Sequence, residues 1–229
     1  MKLSLLTKSD PLEKARKRCL KKFLHYFKAG YEDQKYFDWE RGYKWNAHLQ
    51  FQGELNEASF KKLLAQKEYE KVALTAVRIE SRTNLLFSFE KMALRDALKT
   101  PGDAKSFAIG LYDYVYGKRS LQLHFEGFVN VIGGLSRKQT RVLTWPLLTV
   151  FGFLANPKEH IFLKPRVTKI AAEKYSFDFS YTSKPNWDTY KSLLAFAEQI
   201  RKDTKAYHPQ DYIDLQSFMW VMGSDEYPE

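Results

Sequence analysis

Apolar residues recur at helical spacing along almost the whole chain, and this periodicity constrains the fold more than any other feature of the sequence. The first periodic segment, residues 12–27, follows Asp10 and Pro11. An aspartate side chain can accept a hydrogen bond from a free N–H of the first turn, and the fixed φ of proline suits the first helical position. Glycines and prolines then separate one periodic segment from the next. The pattern predicts a mainly α protein, folded as a multi-helix globular bundle.

Two segments near residues 160–183 depart from this pattern. Residues 177–183, FDFSYTS, alternate aromatic and polar side chains, which is typical of a strand. Residues 160–164, HIFLK, fit either a short strand or an extended connector. We therefore expect at most a small β element near residues 160–183. Pro146 lies inside the apolar stretch 142–154 and predicts a kink or a break there.

The length of 229 residues fits one large domain or two small domains packed closely together. A division would fall either at the turn at 117–120 or at the glycine pair 133–134, and the glycine pair gives the bounds used here. Residues 1–134 would then form an N-terminal helical subdomain with a basic first helix, and residues 135–229 a C-terminal helical subdomain. One continuous domain is the alternative.

Several classes of protein are excluded by composition. The single cysteine, Cys19, excludes an intramolecular disulfide scaffold and a cysteine-rich zinc site. Mean hydropathy is −0.49, and no apolar run approaches the roughly 18 residues of a membrane span. The five histidines share no ligand spacing, and no glycine-rich phosphate loop occurs. We expect a cytoplasmic protein with no membrane contact, no metal and no cofactor.

The positive charge is concentrated near the start of the chain. The sequence has 37 Lys+Arg and 27 Asp+Glu, a net charge of +10. Residues 1–28 contain nine of the bases and only two acids, so they carry +7 of that charge. Arg16, Lys17 and Lys21 fall on the helix face opposite the apolar one, where they could contact phosphate groups. An ordinary solvated lysine face is the alternative.

A charged and aromatic cluster occupies residues 38–45. Glu40 and Lys44 are four residues apart in the favourable order, and Trp45 falls four residues after Arg41, which allows the two to stack. One interpretation is a surface that stacks bases and holds phosphates through Arg41, Lys44 and Trp45. The other is an interface between helices with charge-paired edges.

A second basic zone covers residues 137–169. With Trp145 and Trp187 it could line a groove that binds a polyanion. Its candidate nucleic-acid contacts are Arg137, Lys138, Arg141, Lys164, Arg166 and Lys169. Polar residues at 80–96 indicate a buried hydrogen-bond network more than a solvent-exposed face.

Four stretches of the chain resemble a family of uncharacterised bacterial proteins. They are YFDWERGYKWNAH, ESRTNLLFSFEKMALRDALKTP, TRVLTWPLLTVFGFLANPKEHIFLKPRVTKIAA, and PNWDTYKSLLAFAEQIRKD with the later DYIDLQSFMWVMGSDEYP. The resemblance covers most of the chain from about residue 20. Residues 145–221 are also similar to a segment attached to nucleases and AAA ATPases of restriction or defence type. This resemblance implies a DNA-associated role and assigns no catalytic residue.

Together these features predict a nucleic-acid-associated accessory or recognition protein, in bacterial genome defence, with DNA or RNA as its partner. One alternative is a metal-dependent nuclease or hydrolase that uses carboxylates such as Asp38, Glu40, Asp211 and Asp214. Another is a protein–protein interaction module that forms a homodimer. The acidic residues 224–229, SDEYPE, would then be flexible and would dock on a basic surface of a partner or a second copy.

Overall fold

The computed structural model describes residues 10–136 and 141–229, which form a multi-helix fold without strands. The helices are α1 Pro11–Tyr26, α2 Gln34–Tyr36, α3 Gly42–Glu54, α4 Glu57–Ala65, α5 Tyr69–Ser81, α6 Ser88–Ala97, α7 Pro101–Tyr116, α8 Leu121–Gly134, α9 Trp145–Ala155, α10 Pro165–Tyr175, α11 Trp187–Asp203 and α12 Tyr212–Gly223. A π-helical turn, Phe37–Arg41, joins α2 to α3, and Gly30–Glu32 and Lys205–Tyr207 are short 3-10 turns. The mainly α prediction is confirmed. None of the described helices is long and apolar enough to cross a membrane.

Helix starts follow the local signals in the sequence. Asp10 Oδ1 accepts the N–H of Leu12 at 3.1 Å, and Pro11 is the first residue of α1. Pro146 lies in the first turn of α9, so the expected break is confirmed. Proline is tolerated there because the N–H that it lacks would have no partner within the helix.

The strand prediction for residues 177–183 is wrong. The segment is extended, but it lies against α11 and not beside another strand. Thr182 N–H donates to Thr189 Oγ1 at 3.1 Å, and the Phe177 ring stacks on Phe196 with centroids 4.8 Å apart. The alternation arises because every second side chain, at Phe177, Phe179 and Tyr181, packs on the helical core.

Residues 160–164 form the extended connector between α9 and α10 and not a short strand. Side chains of neighbouring helices satisfy its backbone, since Ile161 N–H donates to Tyr190 Oη at 3.1 Å and Leu163 N–H donates to Thr149 Oγ1 at 3.0 Å. This buried connector fixes the position at which α10 begins.

One continuous cluster of buried apolar residues includes members of both predicted subdomains. Every residue of α9 is buried, and this helix contacts α3, α5, α7 and α8. On the other side, α10 packs on α12, and α1 packs on both. The start of α10 and the end of α12 lie close to the start of α9, where all three line one cavity.

Candidate functional site

A cavity of about 630 Å³ opens where the start of α6, residues 141–146, the start of α10 and the end of α12 meet. Its volume lies within the roughly 300–1,000 Å³ typical of small-molecule sites. The wall combines aromatic rings with charged side chains. Its aromatic members are Phe87, Phe89, Trp145, Tyr181 and Trp220, and its charged members are Glu90, Arg141, Lys164, Arg166, Asp225 and Glu226.

The structure brings much of the predicted second basic zone to this cavity. Arg141, Lys164 and Arg166 line it together with Trp145. Lys169 follows Arg166 by about one turn, and its Nζ lies 5.0 Å from the ring centroid of Tyr181, which also lines the cavity.

Trp187, which was predicted to line the same groove, is half-buried against Phe125 and Tyr190 and is not part of this cavity's lining. Arg137 and Lys138 lie outside the described residues.

Lys164 forms part of the cavity floor and is not a surface cation. Its Nζ donates to Leu85 O at 2.9 Å and to Glu90 Oε2 at 3.4 Å, and lies 3.5 Å from the Phe87 ring centroid. Burial lowers the pKa of this amine, and the carboxylate of Glu90 opposes that shift. The predicted phosphate contact through Lys164 is therefore corrected, because the protein itself already holds the ammonium group.

Arg166 and Arg141 lie at the rim and are accessible. Arg166 pairs with Asp225 at 3.0 Å, but the two side chains are 76% and 84% exposed, so the pair is readily exchanged. Arg141 is exposed and forms no ion pair with the part of the chain that the structure describes. The first turn of α10, residues 165–167, also lines the cavity and has no side-chain cap, so the partial positive charge of this helix end lies beside the same rim.

Two exposed aromatic rings complete the site. Phe87 and Phe89 are 55% and 56% exposed, and their rings stack with centroids 5.6 Å apart and planes 23° apart. Sequence reasoning missed both rings. The available signal is their position at a helix start. Phe87 precedes α6 and Phe89 follows Phe87 by only two positions, so the two rings cannot both join the apolar stripe of that helix.

Arg41 and Lys44 belong to a buried ion-pair network and are not at the surface. Arg41 donates to Asp211 at 2.8 and 2.9 Å and to Asp214 at 2.6 Å. Lys44 Nζ donates to Glu40 Oε2 at 3.1 Å and to Ser217 Oγ at 2.8 Å. Burial lowers the pKa of Lys44. The predicted nucleic-acid contacts at these two residues are wrong, because neither cation reaches solvent.

The interpretation of residues 38–45 as an interface between helices is the one that the structure supports. The pair of Glu40 with Lys44 forms as the spacing predicts, and the Arg41 guanidinium lies 5.0 Å from the Trp45 ring centroid. Trp45 is half-buried and also packs on His48, so it offers little ring surface to a base.

The same network bears on the alternative of a metal-dependent nuclease or hydrolase. Glu40, Asp211 and Asp214 are each taken up by Arg41 or Lys44. Asp38, the fourth candidate, accepts a hydrogen bond from Gln34 on the exposed side. No group of three or more histidine, cysteine or acidic side chains with metal-binding geometry occurs in residues 10–136 and 141–229. These four carboxylates do not fit a metal-dependent nuclease.

The basic residues of α1 have different surroundings. Lys17 and Lys21 are exposed, and Lys17 pairs with Glu13 one turn away at 2.5 Å. Arg16 is half-buried, 3.6 Å from Asp203 and 5.7 Å from the Tyr175 ring centroid. Lys17 and Lys21 can reach a polyanion, whereas Arg16 serves mainly to hold α1 in place.

Cys19 lies on the buried face of α1, beside a second cavity of about 490 Å³ between α1 and α10. Burial raises the pKa of its thiol to about 11. The thiol is therefore protonated at neutral pH, as expected of a packing residue and not of a nucleophile.

Residues 224–229, which we call the acidic segment, fold back onto basic residues of the same chain. Asp225 pairs with Arg166, and Glu229 pairs with Lys22 at 3.1 Å and with Lys174 at 2.5 Å. Tyr227 anchors the segment, since its ring is buried and its hydroxyl donates to Glu40 at 2.6 Å. The expectation of a flexible segment that docks on another molecule is corrected, because its partners are in this chain.

Comparison with models of protein families, with curated proteins and with solved structures gave no match for this chain. The resemblance to a bacterial family with links to defence nucleases therefore stays a prediction, and the function has to be argued from the site itself.

Proposed function

We propose that the protein binds nucleic acid as an accessory or recognition protein. One observation carries the proposal. Arginine and lysine side chains that the sequence predicted to contact phosphate lie around one cavity, next to exposed aromatic rings. Cations that follow a phosphate backbone, combined with aromatic rings on which bases stack, are the usual equipment of a protein that binds single strands. A role in bacterial genome defence, in the cytoplasm, is part of this proposal and depends on the sequence resemblance.

The exposed side of α10 extends the basic surface away from the cavity. Arg166, Lys169 and Lys174 follow one another along the helix, and Lys22 of α1 lies beside Lys174 because both pair with Glu229. Lys174 lies eight positions after Arg166, a separation of about 12 Å along the helix. We call the three basic residues of α10 the basic track; the Lys22 side chain is only 9% exposed and is not part of it. A strand that lies along the track would reach the cavity at its Arg166 end.

The test is binding to labelled single-stranded and duplex DNA over a series of salt concentrations, measured by fluorescence anisotropy. The variant Arg166→Gln with Lys169→Gln removes two cations from the track. Lys61→Gln with Lys62→Gln on the exposed side of α4 removes the same charge far along the chain and is the matched control.

We expect the track variant to bind more weakly and to lose roughly 1.5 units from the slope of log affinity against log salt, while the control keeps the slope of the wild type. Equal effects of the two variants would reduce the binding to general charge. No binding at low salt would refute the proposal.

The acidic segment supplies a second test. If it competes with phosphate, Asp225→Asn with Glu229→Gln should raise the affinity for DNA. Exposed pairs are worth at most about 1 kcal/mol each, so we expect an increase of roughly two- to tenfold. Glu57→Gln with Glu70→Gln changes the net charge equally and should have a smaller effect. Equal increases in both double variants would contradict competition at the track.

A protein–protein interaction module is the second candidate. The observation that favours it is the exposed apolar surface of α6, where Met92 is 62% exposed near Phe87 and Phe89. Its test is light scattering coupled to size-exclusion chromatography. A stable dimer that Met92→Ser dissociates would favour this function over nucleic-acid binding.

A further inference from the structure

We infer that the cavity holds one unstacked nucleotide of a single-stranded nucleic acid, with its base on the Phe87–Phe89 rings and its phosphate at Arg166 and the start of α10. This inference rests on the proposed function and names the form of nucleic acid that the cavity selects. Three features carry it: the orientation of the two rings, the cations beside them, and the size of the cavity.

The two rings are arranged as a stacking surface. Both are more than half exposed, although a buried position would remove large apolar areas from water. Each is held in place. Lys164 Nζ lies 3.5 Å from the centroid of the Phe87 ring, and Phe89 stacks on Phe87. Phe87 N–H donates to Glu90 Oε2 at 2.8 Å, which fixes the backbone between the rings. A fixed aromatic face loses little entropy when a planar base stacks on it.

The cations lie where a phosphate attached to such a base can reach them. Arg166 and Arg141 line the same cavity as the two rings. Pro165 has no N–H, so the first turn of α10 contributes the N–H groups of Arg166 and Val167, which have no side-chain cap. Arg166 now pairs with the exposed carboxylate of Asp225, so a backbone phosphodiester, which also carries one negative charge, would replace one anion with another.

The size of the cavity decides between a single strand and a duplex. A volume of about 630 Å³ accepts one nucleotide and not a double helix. Bases in a duplex are stacked on their neighbours and turn only their edges to a protein, so their faces cannot reach Phe89. A single strand exposes those faces at no cost in broken pairs.

The experiment compares the wild type with the variant Phe87→Leu with Phe89→Leu, which keeps apolar side chains but removes both rings. Phe37→Leu, an exposed ring on the π turn and outside the cavity lining, is the matched control. The probes are a labelled 12-nucleotide oligo-dT and a labelled 12-base-pair duplex, measured by anisotropy at low salt. Circular dichroism confirms that each variant is folded.

We expect the wild type to bind the oligo-dT more tightly than the duplex. The double variant should lose about ten- to hundredfold in affinity for oligo-dT and keep its affinity for the duplex, because only a stacked base uses the rings. Phe37→Leu should behave as the wild type does. Seating of a base should also quench the fluorescence of Trp145 and Trp220, which line the cavity, and the double variant should lose this quenching.

Each other outcome is informative. Equal binding of oligo-dT and duplex, or an unchanged affinity of the double variant for oligo-dT, overturns the inference and leaves the proposed function in place. No binding of either probe overturns both. A wild-type dimer that the double variant dissociates would show that a second copy covers the rings, and this also overturns the inference.

Discussion

Replacement of Glu80 by glutamine is expected to stabilise the protein at pH 8 but not at pH 4.5. Glu80 is 1% exposed near the end of α5, and its Oε2 has no hydrogen-bond partner in the described part of the chain. Its Oε1 lies 3.6 Å from Lys91 Nζ and 3.4 Å from Thr83 Oγ1. Burial raises the pKa of this carboxyl from 4.5 to about 7, against the weaker opposing effect of Lys91.

The sign and size of the effect follow from proton linkage. Between pH 4.5 and 7 the folded protein holds the proton of Glu80 while the unfolded chain has released it, so the free energy of unfolding falls as pH rises through this window. One pKa unit corresponds to about 1.4 kcal/mol, which gives a penalty of about 3 kcal/mol above pH 7. Glutamine has the same shape and never ionises. Lys91 stays paired after the change, because its Nζ also donates to Thr83 O at 2.7 Å.

The assay is urea unfolding followed by tryptophan fluorescence at pH 4.5 and pH 8. At pH 8 we expect the free energy of unfolding of the Glu80→Gln variant to be about 2–3 kcal/mol larger than that of the wild type. At pH 4.5 the two values should be nearly equal. Glu70→Gln, an exposed residue of the same helix, is the control and should give no such difference. A Glu80→Gln protein whose stability relative to the wild type is the same at both pH values would refute the reasoning.

Three further predictions concern buried polar groups. Burial lowers the pKa of His160 from 6.5 to about 3, so below pH 6.5 the unfolded chain binds a proton that the folded protein does not. The free energy of unfolding of the wild type should therefore fall by about 3 kcal/mol between pH 7 and pH 4. His160→Gln should remove that part of the fall, measured by urea unfolding. Arg41→Met leaves two buried aspartates without their cation and should cost about 3–5 kcal/mol in urea unfolding at pH 7; a cost below 1 kcal/mol would contradict the network. Tyr227→Phe removes the hydrogen bond to Glu40 and should cost roughly 1.5–3 kcal/mol, with faster proteolysis of the acidic segment as an independent readout.

Local signals in the sequence were sufficient for most of the helices. The cap at Asp10 and the helix start around Pro146 depend only on residues within a few positions, so they could be predicted without knowledge of the fold. The alternation at 177–183 did not predict a strand correctly, because an extended segment that packs on a helix buries every second side chain just as a strand in a sheet does. Only contacts with distant residues distinguish the two.

The sequence could not separate the basic residues that are buried from those that reach solvent. Lys21 and Lys44 both follow helical periodicity, but Lys44 lies under α12 and donates to Ser217, 173 positions further along the chain. The lining of the cavity likewise combines residues that are distant in the sequence, which sequence patterns could not bring together. The basic residues of the cavity lie close together in the sequence and were predicted as one zone. Phe87, the residue before α6, and Phe89, in its first turn, lie more than 50 positions earlier.

The acidic segment changes what the net charge of +10 means for binding. Its carboxylates already pair with both ends of the basic track, through Asp225 at Arg166 and Glu229 at Lys174. An incoming anion would therefore exchange with a carboxylate and not simply add to free positive charge. A small anion competes at one end at a time, while the segment stays anchored by Tyr227 and pairs again as soon as the anion leaves. A strand of several linked phosphates can replace both carboxylates together, and the second replacement is intramolecular. The segment would thus favour a polymer over free phosphate or nucleotide, a selectivity that the bases alone would not provide.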